Sequence, residues 1–159
     1  DTRIQTAAES ALRCGLLRLD HRRGYRGPIL RGQKLDLEGD AIEALAGRNP
    51  VPDAWVPGLV LESGREEARI RTPEGAIAVK APGIAWTSRR SPSEILRTGD
   101  IAWFRRAQDP KRPQETYWRL EQEPEVEGAV VVLESASGAL ESTSWSRGTV
   151  PKTENVLSR

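Results

Sequence analysis

Between Trp55 and Pro124, apolar and polar residues alternate in five short runs, and glycine or proline separates most runs from the next. Successive side chains of a β-strand point to opposite faces, so this alternation is typical of strands with one buried face. The runs lie within AWVPGLVLES, EEARIRTP, GAIAVKAP, GDIAWFRRAQ and ETYWRLEQEP. Five short strands with regular turns predict a small barrel or sandwich. We expect the first strand to be broken at Pro57-Gly58, since both residues disfavour strand interiors.

The stretch GIAWTSRRSPSEILRTG lies between the third and fourth runs, and it predicts the end of a strand followed by a loop or helical turn. Ser91–Leu96 is the one place in this region for a short helix. A helix between the third and fourth strands is a common feature of the five-stranded OB barrel. The expected fold class is therefore mainly β, with an OB-like barrel over residues 51–125.

The barrel is flanked by a predicted helix and a predicted hairpin. Residues 1–23 have apolar residues at helical spacing, namely Ile4, Ala7, Ala8, Ala11, Leu12, Leu16 and Leu19. The basic residues that follow suit the last turn of a helix, and Gly24 fits a left-handed cap. Ala129–Leu133 is a continuous apolar run, which is typical of a strand buried on both faces. ALEST then predicts the return strand of a hairpin.

These patterns divide the chain into five segments. Residues 1–28 form the helix and an exit turn, and residues 29–50 form a linker with a short helix near Leu37–Ala46. The barrel spans 51–125, and the returning hairpin spans 126–143. The polar tail, residues 144–159, is expected to be loosely ordered.

Composition excludes several classes of protein. The 24 basic and 23 acidic residues give a net charge of +1, whereas a dedicated duplex-binding domain has a clear basic excess. No run approaches the roughly 18 apolar residues of a membrane span. The single cysteine excludes an internal disulfide. Because the chain lacks methionine and opens on Asp1, we expect it to be an internal fragment of a longer protein.

The chain offers few groups for catalysis. His21 is the only histidine, and Cys14, seven residues earlier, is the one thiol on the same helical face. A helix-surface histidine is a better interpretation than a catalytic pair. Two such residues cannot make a zinc site, and no phosphate-binding loop is present, so we expect no metal and no cofactor. The carboxylates at 66–67 and 121–127 are interpreted as solvated strand edges and loops.

Tryptophans and arginines of the barrel region allow two interpretations. Trp86, Trp103 and Trp118 could stack single-stranded nucleic acid, with nearby arginines binding its phosphates. Alternatively, the tryptophans fill the barrel and the arginines face water, which the balanced charge favours. We predict a partner-binding surface that consists of Trp86, Arg89, Arg90, Arg105 and Arg106.

Two flanking motifs resemble one family. IQTAAESALRCGLLRLDHRRGYRGP is similar to the start of the transpeptidase domain in class A penicillin-binding proteins of the 1A type. DIAWFRR and YWRLEQEPEVEGAVVVLESASGAL resemble the point where that domain resumes after an OB-like insert. The resemblance covers about residues 3–140. The family's next motifs are replaced by ESTSWSRGTVPKTENVLSR, so residues 141–159 depart from the pattern.

The resemblance implies a parent that is a bifunctional peptidoglycan synthase, anchored in the inner membrane and facing the periplasm. Ser-x-x-Lys, Ser-x-Asn and the glycosyltransferase motif are absent, so this chain is expected not to be an enzyme by itself. The expected partners are the remainder of the synthase and a periplasmic or outer-membrane regulator, not nucleic acid. The helix and hairpin would be split pieces of the transpeptidase domain, and their exposed apolar surface would favour self-association.

Overall fold

The computed structural model describes residues 2–32, 42, 44–45, 55–133, 135 and 140–147, with only the backbone described for Thr2 and residues 140–147. The described residues form two compact units. One unit contains the residues up to Arg23 and those from Glu123 onward, and the other spans Gly24–Gln122. The helix predicted near Leu37–Ala46 lies mostly outside the described residues, although Ile42 and Leu45 are buried.

The Gly24–Gln122 unit contains a five-stranded antiparallel sheet. Its strands are β1 (Trp55–Ser63), β2 (Glu67–Thr72), β3 (Gly75–Lys80), β4 (Ile101–Gln108) and β5 (Thr116–Glu121). They are ordered β3-β2-β1-β4-β5, and the sheet curls until β3 approaches β5. This half-barrel confirms the predicted OB-like fold.

The expected break in the first strand is wrong, because β1 continues through Pro57 and Gly58. The reason lies in the register. At Pro57 the strand pairs only with β4, and pairing with β2 begins at Leu59, so the missing proline N–H has no ladder partner to lose. Gly58 is required by packing, since a Cβ there would lie 2.9 Å from the Phe104 ring.

The core lies on the concave face of the sheet. It is built from residues of all five strands and from the β3–β4 connection, namely Val60, Ala68, Ile70, Val79, Ile84, Leu96, Ala102, Phe104 and Leu120. Each of them is at most 1% exposed. Ala68 and Ile70, which the alternation in EEARIRTP places on the inward face, both belong to this core.

The β3–β4 connection is helical earlier than expected. Helix α2 (Ala81–Ile84) follows β3 directly and continues into a 3-10 turn, Ala85–Thr87, where the sequence predicted a strand end. Pro82 suits the first turn of a helix, and burial of Ile84 ties the turn to the core. The helix expected within Ser91–Leu96 is present as a 3-10 turn, Pro92–Glu94, with a capping box between Ser91 and Glu94.

The second unit consists of helix α1 (Thr2–Arg22) and a hairpin of β6 (Glu127–Leu133) and β7 (Leu140–Arg147). Leu12 and Leu16 pack with Val126, and Gly128 lets the helix approach the strand, since a Cβ there would lie 3.0 Å from Leu16 Cδ2. Gly24 has a φ of 89°, as expected for the helix cap.

Two expectations for the hairpin region are wrong. Burial of β6 on both faces does not hold, because Val131 and Leu133 are each 58% exposed. Only the face toward α1 is covered within this unit. The return strand also continues to Arg147, past Thr143 where the sequence placed its end, so the start of the predicted loose tail is a strand. In the part of the chain that is described, no helix is long and apolar enough to cross a membrane.

Candidate partner-binding site

The five residues predicted to bind a partner do not form one surface. Trp86, Arg89 and Arg90 follow α2 in the β3–β4 connection, whereas Arg105 and Arg106 are neighbours on β4. Consecutive strand residues point to opposite faces, so Arg105 and Arg106 lie on different sides of the sheet. The structure therefore divides the predicted surface into three separate places.

Trp86 connects the β3–β4 connection to β5. Its indole N–H donates a hydrogen bond to the backbone carbonyl of Leu120, at 2.8 Å. Tyr25 contacts it edge to face, with ring centroids 5.9 Å apart. The indole N–H and one edge of the ring are thus already in contact with other residues of the domain. The hydrogen bond joins the chain after α2 to β5.

The other two tryptophans also pack against their own chain. Trp103 is 3% exposed. Trp118 is half-buried, and the guanidinium carbon of Arg106 lies 5.3 Å from the centroid of its ring. A cation placed over an aromatic ring in this way is attracted by the negative ring face. These contacts favour an interpretation in which the tryptophans pack within the domain, although only Trp118 packs against the barrel core.

Arg89 and Arg90 are exposed on a well-braced loop. Ser88, just before them, has a left-handed backbone with a φ of 61°. After them, the Ser91 hydroxyl donates to the backbone carbonyl of Arg65 at 2.9 Å, which holds the loop against the β1–β2 turn. Two guanidinium groups are thereby presented to solvent from a defined backbone. Of the predicted residues, these two suit contact with an acidic partner best.

Arg105 belongs to a buried ion-pair cluster that sequence reasoning missed. Its Nε lies 2.6 Å from Glu121 Oε1, and Arg119 Nε lies 3.2 Å from the same oxygen. The Glu121 side chain is 1% exposed, so its interpretation as a solvated carboxylate is wrong. The ladder explains this burial, because Glu121 lies opposite Trp103 and Arg119 lies opposite Arg105. In the sequence, Trp103 and Arg105 are two residues apart on one predicted strand, and Arg119 and Glu121 are two residues apart on the next. This spacing was the signal from which the cluster could have been predicted.

The remaining reactive residues, Cys14 and His21, both lie on α1. Cys14 is exposed on α1. No group of three or more His, Cys, Asp or Glu residues that could hold a metal ion occurs among the described residues. The buried carboxylate of Glu121 is engaged by two guanidinium groups, which suits a structural counter-ion rather than an acid or base.

The fold and this site define an OB-like module, and a family comparison specifies which one. Residues 25–126 match the family model of the penicillin-binding protein OB-like domain, nearly coinciding with the Gly24–Gln122 unit. The match covers well over half of the chain, and the chain belongs to this family.

Two relatives of this chain are named penicillin-binding protein 1A. The chain is 27% identical over 157 residues to penicillin-binding protein 1A of Escherichia coli K12, and the match covers 87% of this chain and 17% of that protein. It is 26% identical over 141 residues to the protein of the same name from Haemophilus influenzae Rd, covering 16% of it. The chain thus spans only a small part of these relatives.

A solved structure agrees with the sequence comparisons. The crystal structure of penicillin-binding protein 1A from Haemophilus influenzae superposes with a TM-score of 0.65 at 26% sequence identity. The superposition covers 88% of this chain and 20% of that one. The resemblance inferred from the flanking motifs is confirmed.

Proposed function

We propose that the chain is a non-catalytic accessory and docking region of a bifunctional peptidoglycan synthase in bacterial cell-wall biosynthesis. In this proposal the parent protein polymerises glycan strands and cross-links their peptides on the periplasmic side of the inner membrane. The family match of residues 25–126, together with relatives named penicillin-binding protein 1A, supports the proposal.

The observation that carries the docking role is the exposed pair Arg89–Arg90 on a braced loop. A rigid scaffold that presents a few charged loop residues is a common basis for protein recognition, because little conformational entropy is lost on binding. Glu121, by contrast, is paired inside the sheet and offers no charge to a partner. The expected partners are the rest of the synthase and an acidic surface of a periplasmic or outer-membrane regulator.

The docking role is tested in the full-length synthase. A photoreactive amino acid at Arg65, an exposed neighbour of this loop, should cross-link to an envelope protein whose presence changes the rate of glycan polymerisation or peptide cross-linking. Arg89→Glu/Arg90→Glu should abolish both the cross-link and the rate change. The matched control is Lys111→Glu, a charge reversal at an exposed residue of the β4–β5 turn, which should preserve both.

The non-catalytic role is tested on the 159-residue chain itself. A fluorescent β-lactam should label the full-length synthase and leave the chain unlabelled, because Ser-x-x-Lys is absent from it. A covalent adduct on the chain would contradict the proposal. If an Arg89→Glu/Arg90→Glu synthase is still labelled by the β-lactam and its rate still changes normally with every envelope partner, only the docking role is contradicted.

A further inference from the structure

Gln122 joins the two ends of the OB-like unit. It follows β5 directly, is the last residue of the unit and is 5% exposed. Its side-chain oxygen accepts a hydrogen bond from the backbone N–H of Arg26 at 2.9 Å. Its side-chain nitrogen donates to the backbone carbonyl of Gly24 at 3.0 Å. One buried amide thus fixes the backbone on both sides of Tyr25, about a hundred residues away in the chain.

The backbone that Gln122 fixes carries the Tyr25 ring to Trp86. The two ring centroids are 5.9 Å apart and the ring planes are inclined by 82°. Aromatic rings favour this edge-to-face arrangement, because the positive edge of one ring meets the negative face of the other. Tyr25 also packs against the core of the unit, and its hydroxyl has no hydrogen-bond partner among the described residues. The contact therefore depends on the ring and not on the hydroxyl.

Trp86 in turn fixes the start of the loop that carries the exposed arginines. Its indole N–H is bonded to the carbonyl of Leu120, which holds the ring in place. The next residue, Thr87, is 8% exposed and donates its hydroxyl to the carbonyl of Ile84 at 2.7 Å. The same hydroxyl accepts a hydrogen bond from the backbone N–H of Arg89 at 3.4 Å. The position of Trp86 therefore determines where the backbone of Arg89 begins.

These contacts form an unbroken series from Gln122 to Arg89 through two aromatic rings, and every member belongs to the OB-like unit. Energetic coupling between separated residues is carried by packed and hydrogen-bonded groups of this kind. The hydroxyl of Ser91 supports the loop after the arginines, whereas this series supports it before them. The exposed loop is thus held from behind by a buried residue at the end of the unit.

We propose that Gln122, Tyr25 and Trp86 are positioning residues for partner docking. They do not contact the partner, and they hold the loop from which Arg89 and Arg90 reach it. A loop that is held before binding loses less conformational entropy when the partner binds. The inference rests on the proposed docking function, and it adds the buried residues on which that function depends.

Amide hydrogen exchange of the 159-residue chain, measured by NMR, tests whether the loop is held in this way. Gln122→Met has a side chain of similar length and removes both hydrogen bonds to the segment around Tyr25. It should speed exchange of the Ser88 and Arg89 amides at least fivefold, because the loop then opens locally. Amides of the β2–β3 ladder should change by less than about twofold. Gln108→Met, the same substitution at an exposed residue of β4, is the matched control and should change neither group.

Two substitutions of Tyr25 separate the ring contact from other effects. Tyr25→Leu removes the edge-to-face contact and should speed exchange of the same loop amides as Gln122→Met does. Tyr25→Phe keeps the ring and should leave these amides unchanged. Melting temperatures verify that each variant is folded. Unchanged exchange at Ser88 and Arg89 in Gln122→Met would overturn the inference. Uniform acceleration that includes the β2–β3 ladder would overturn it too, because it would show only a loss of global stability.

Cross-linking in the full-length synthase links the positioning role to docking. With the photoreactive amino acid at Arg65, Gln122→Met should lower the cross-link yield about fivefold, and Gln108→Met should preserve it. If Arg89→Glu/Arg90→Glu abolishes the cross-link and Gln122→Met leaves it unchanged, the positioning inference is wrong and docking stands. If no envelope protein cross-links to the synthase, the docking role is wrong, and the exchange measurement alone decides whether Gln122 holds the loop.

Discussion

Replacing Glu121 by glutamine tests the buried ion-pair cluster most directly. The substitution keeps the volume of the side chain and removes its charge. Arg105 and Arg119 then remain directly opposite each other in the β4–β5 ladder, where like charges destabilise a sheet. Both arginines lose the carboxylate oxygen that they share at 2.6 and 3.2 Å.

The expected cost follows from the burial of the three groups. Two unit charges about 4 Å apart attract by roughly 4 kcal/mol at an effective dielectric constant near 20, before desolvation is subtracted. Removing one partner of a buried pair typically costs about 3–5 kcal/mol. The arginine side chains are 33% and 24% exposed, so solvent screens part of the loss. We expect about 2–3 kcal/mol, which corresponds to a melting temperature lowered by roughly 10–20 °C in a domain of this size.

Tryptophan fluorescence during thermal and urea unfolding is a suitable assay, because Trp55, Trp86, Trp103 and Trp118 all lie in the OB-like unit. Glu66→Gln, at an exposed carboxylate of the β1–β2 turn, is the matched control and should change stability by less than about 0.5 kcal/mol. If Glu121→Gln behaves like this control, the cluster does not stabilise the sheet and the reasoning is refuted.

Two further substitutions test the packing of the β3–β4 connection and of Tyr25. Gly83→Ala should destabilise the domain by about 1–3 kcal/mol, because its Cβ collides with the backbone carbonyl of Trp118, and urea unfolding measures the loss. Burial, with a smaller contribution from Asp100, raises the pKa of Tyr25 above its usual 10.0. The folded state keeps the hydroxyl protonated, so stability is fully present below about pH 10 and falls as the pH rises further. Tyr25→Phe should remove this alkaline loss, as seen in melting temperatures measured across pH 8–11.

Each of the two substitutions has its own control and its own result that would contradict the argument. Gly15→Ala, on α1 where no atom lies within 4 Å of a new Cβ, should not destabilise, and equal effects of the two glycine changes would contradict the packing argument. For Tyr25, the hydroxyl has no hydrogen-bond partner among the described residues, so Tyr25→Phe should be near neutral at pH 7. A loss above about 2 kcal/mol at that pH would show that the hydroxyl is bonded after all.

The sequence predicted the elements of the OB-like unit well because glycine and proline residues separate its short apolar runs. Ala68 and Ile70 were identifiable as inward residues before any pairing was known. Helix α1 was predictable for the same reason, because its apolar spacing and its Gly24 cap can be identified within one continuous segment of the chain. Local patterns failed where a residue's role depends on a neighbour in space, as at Pro57, which is tolerated only because β2 is not paired there.

The sequence by itself therefore determined the strands and the family resemblance, since these depend on periodicity and on contiguous motifs. Only the tertiary structure decided which charged and aromatic side chains are buried and which groups they contact. Arg105 and Arg106 are adjacent in the chain, yet one joins a buried cluster and the other covers Trp118. Burial and ion pairing depend on which strand lies alongside, and the β4–β5 register that buries Glu121 is a property of two strands, not of one.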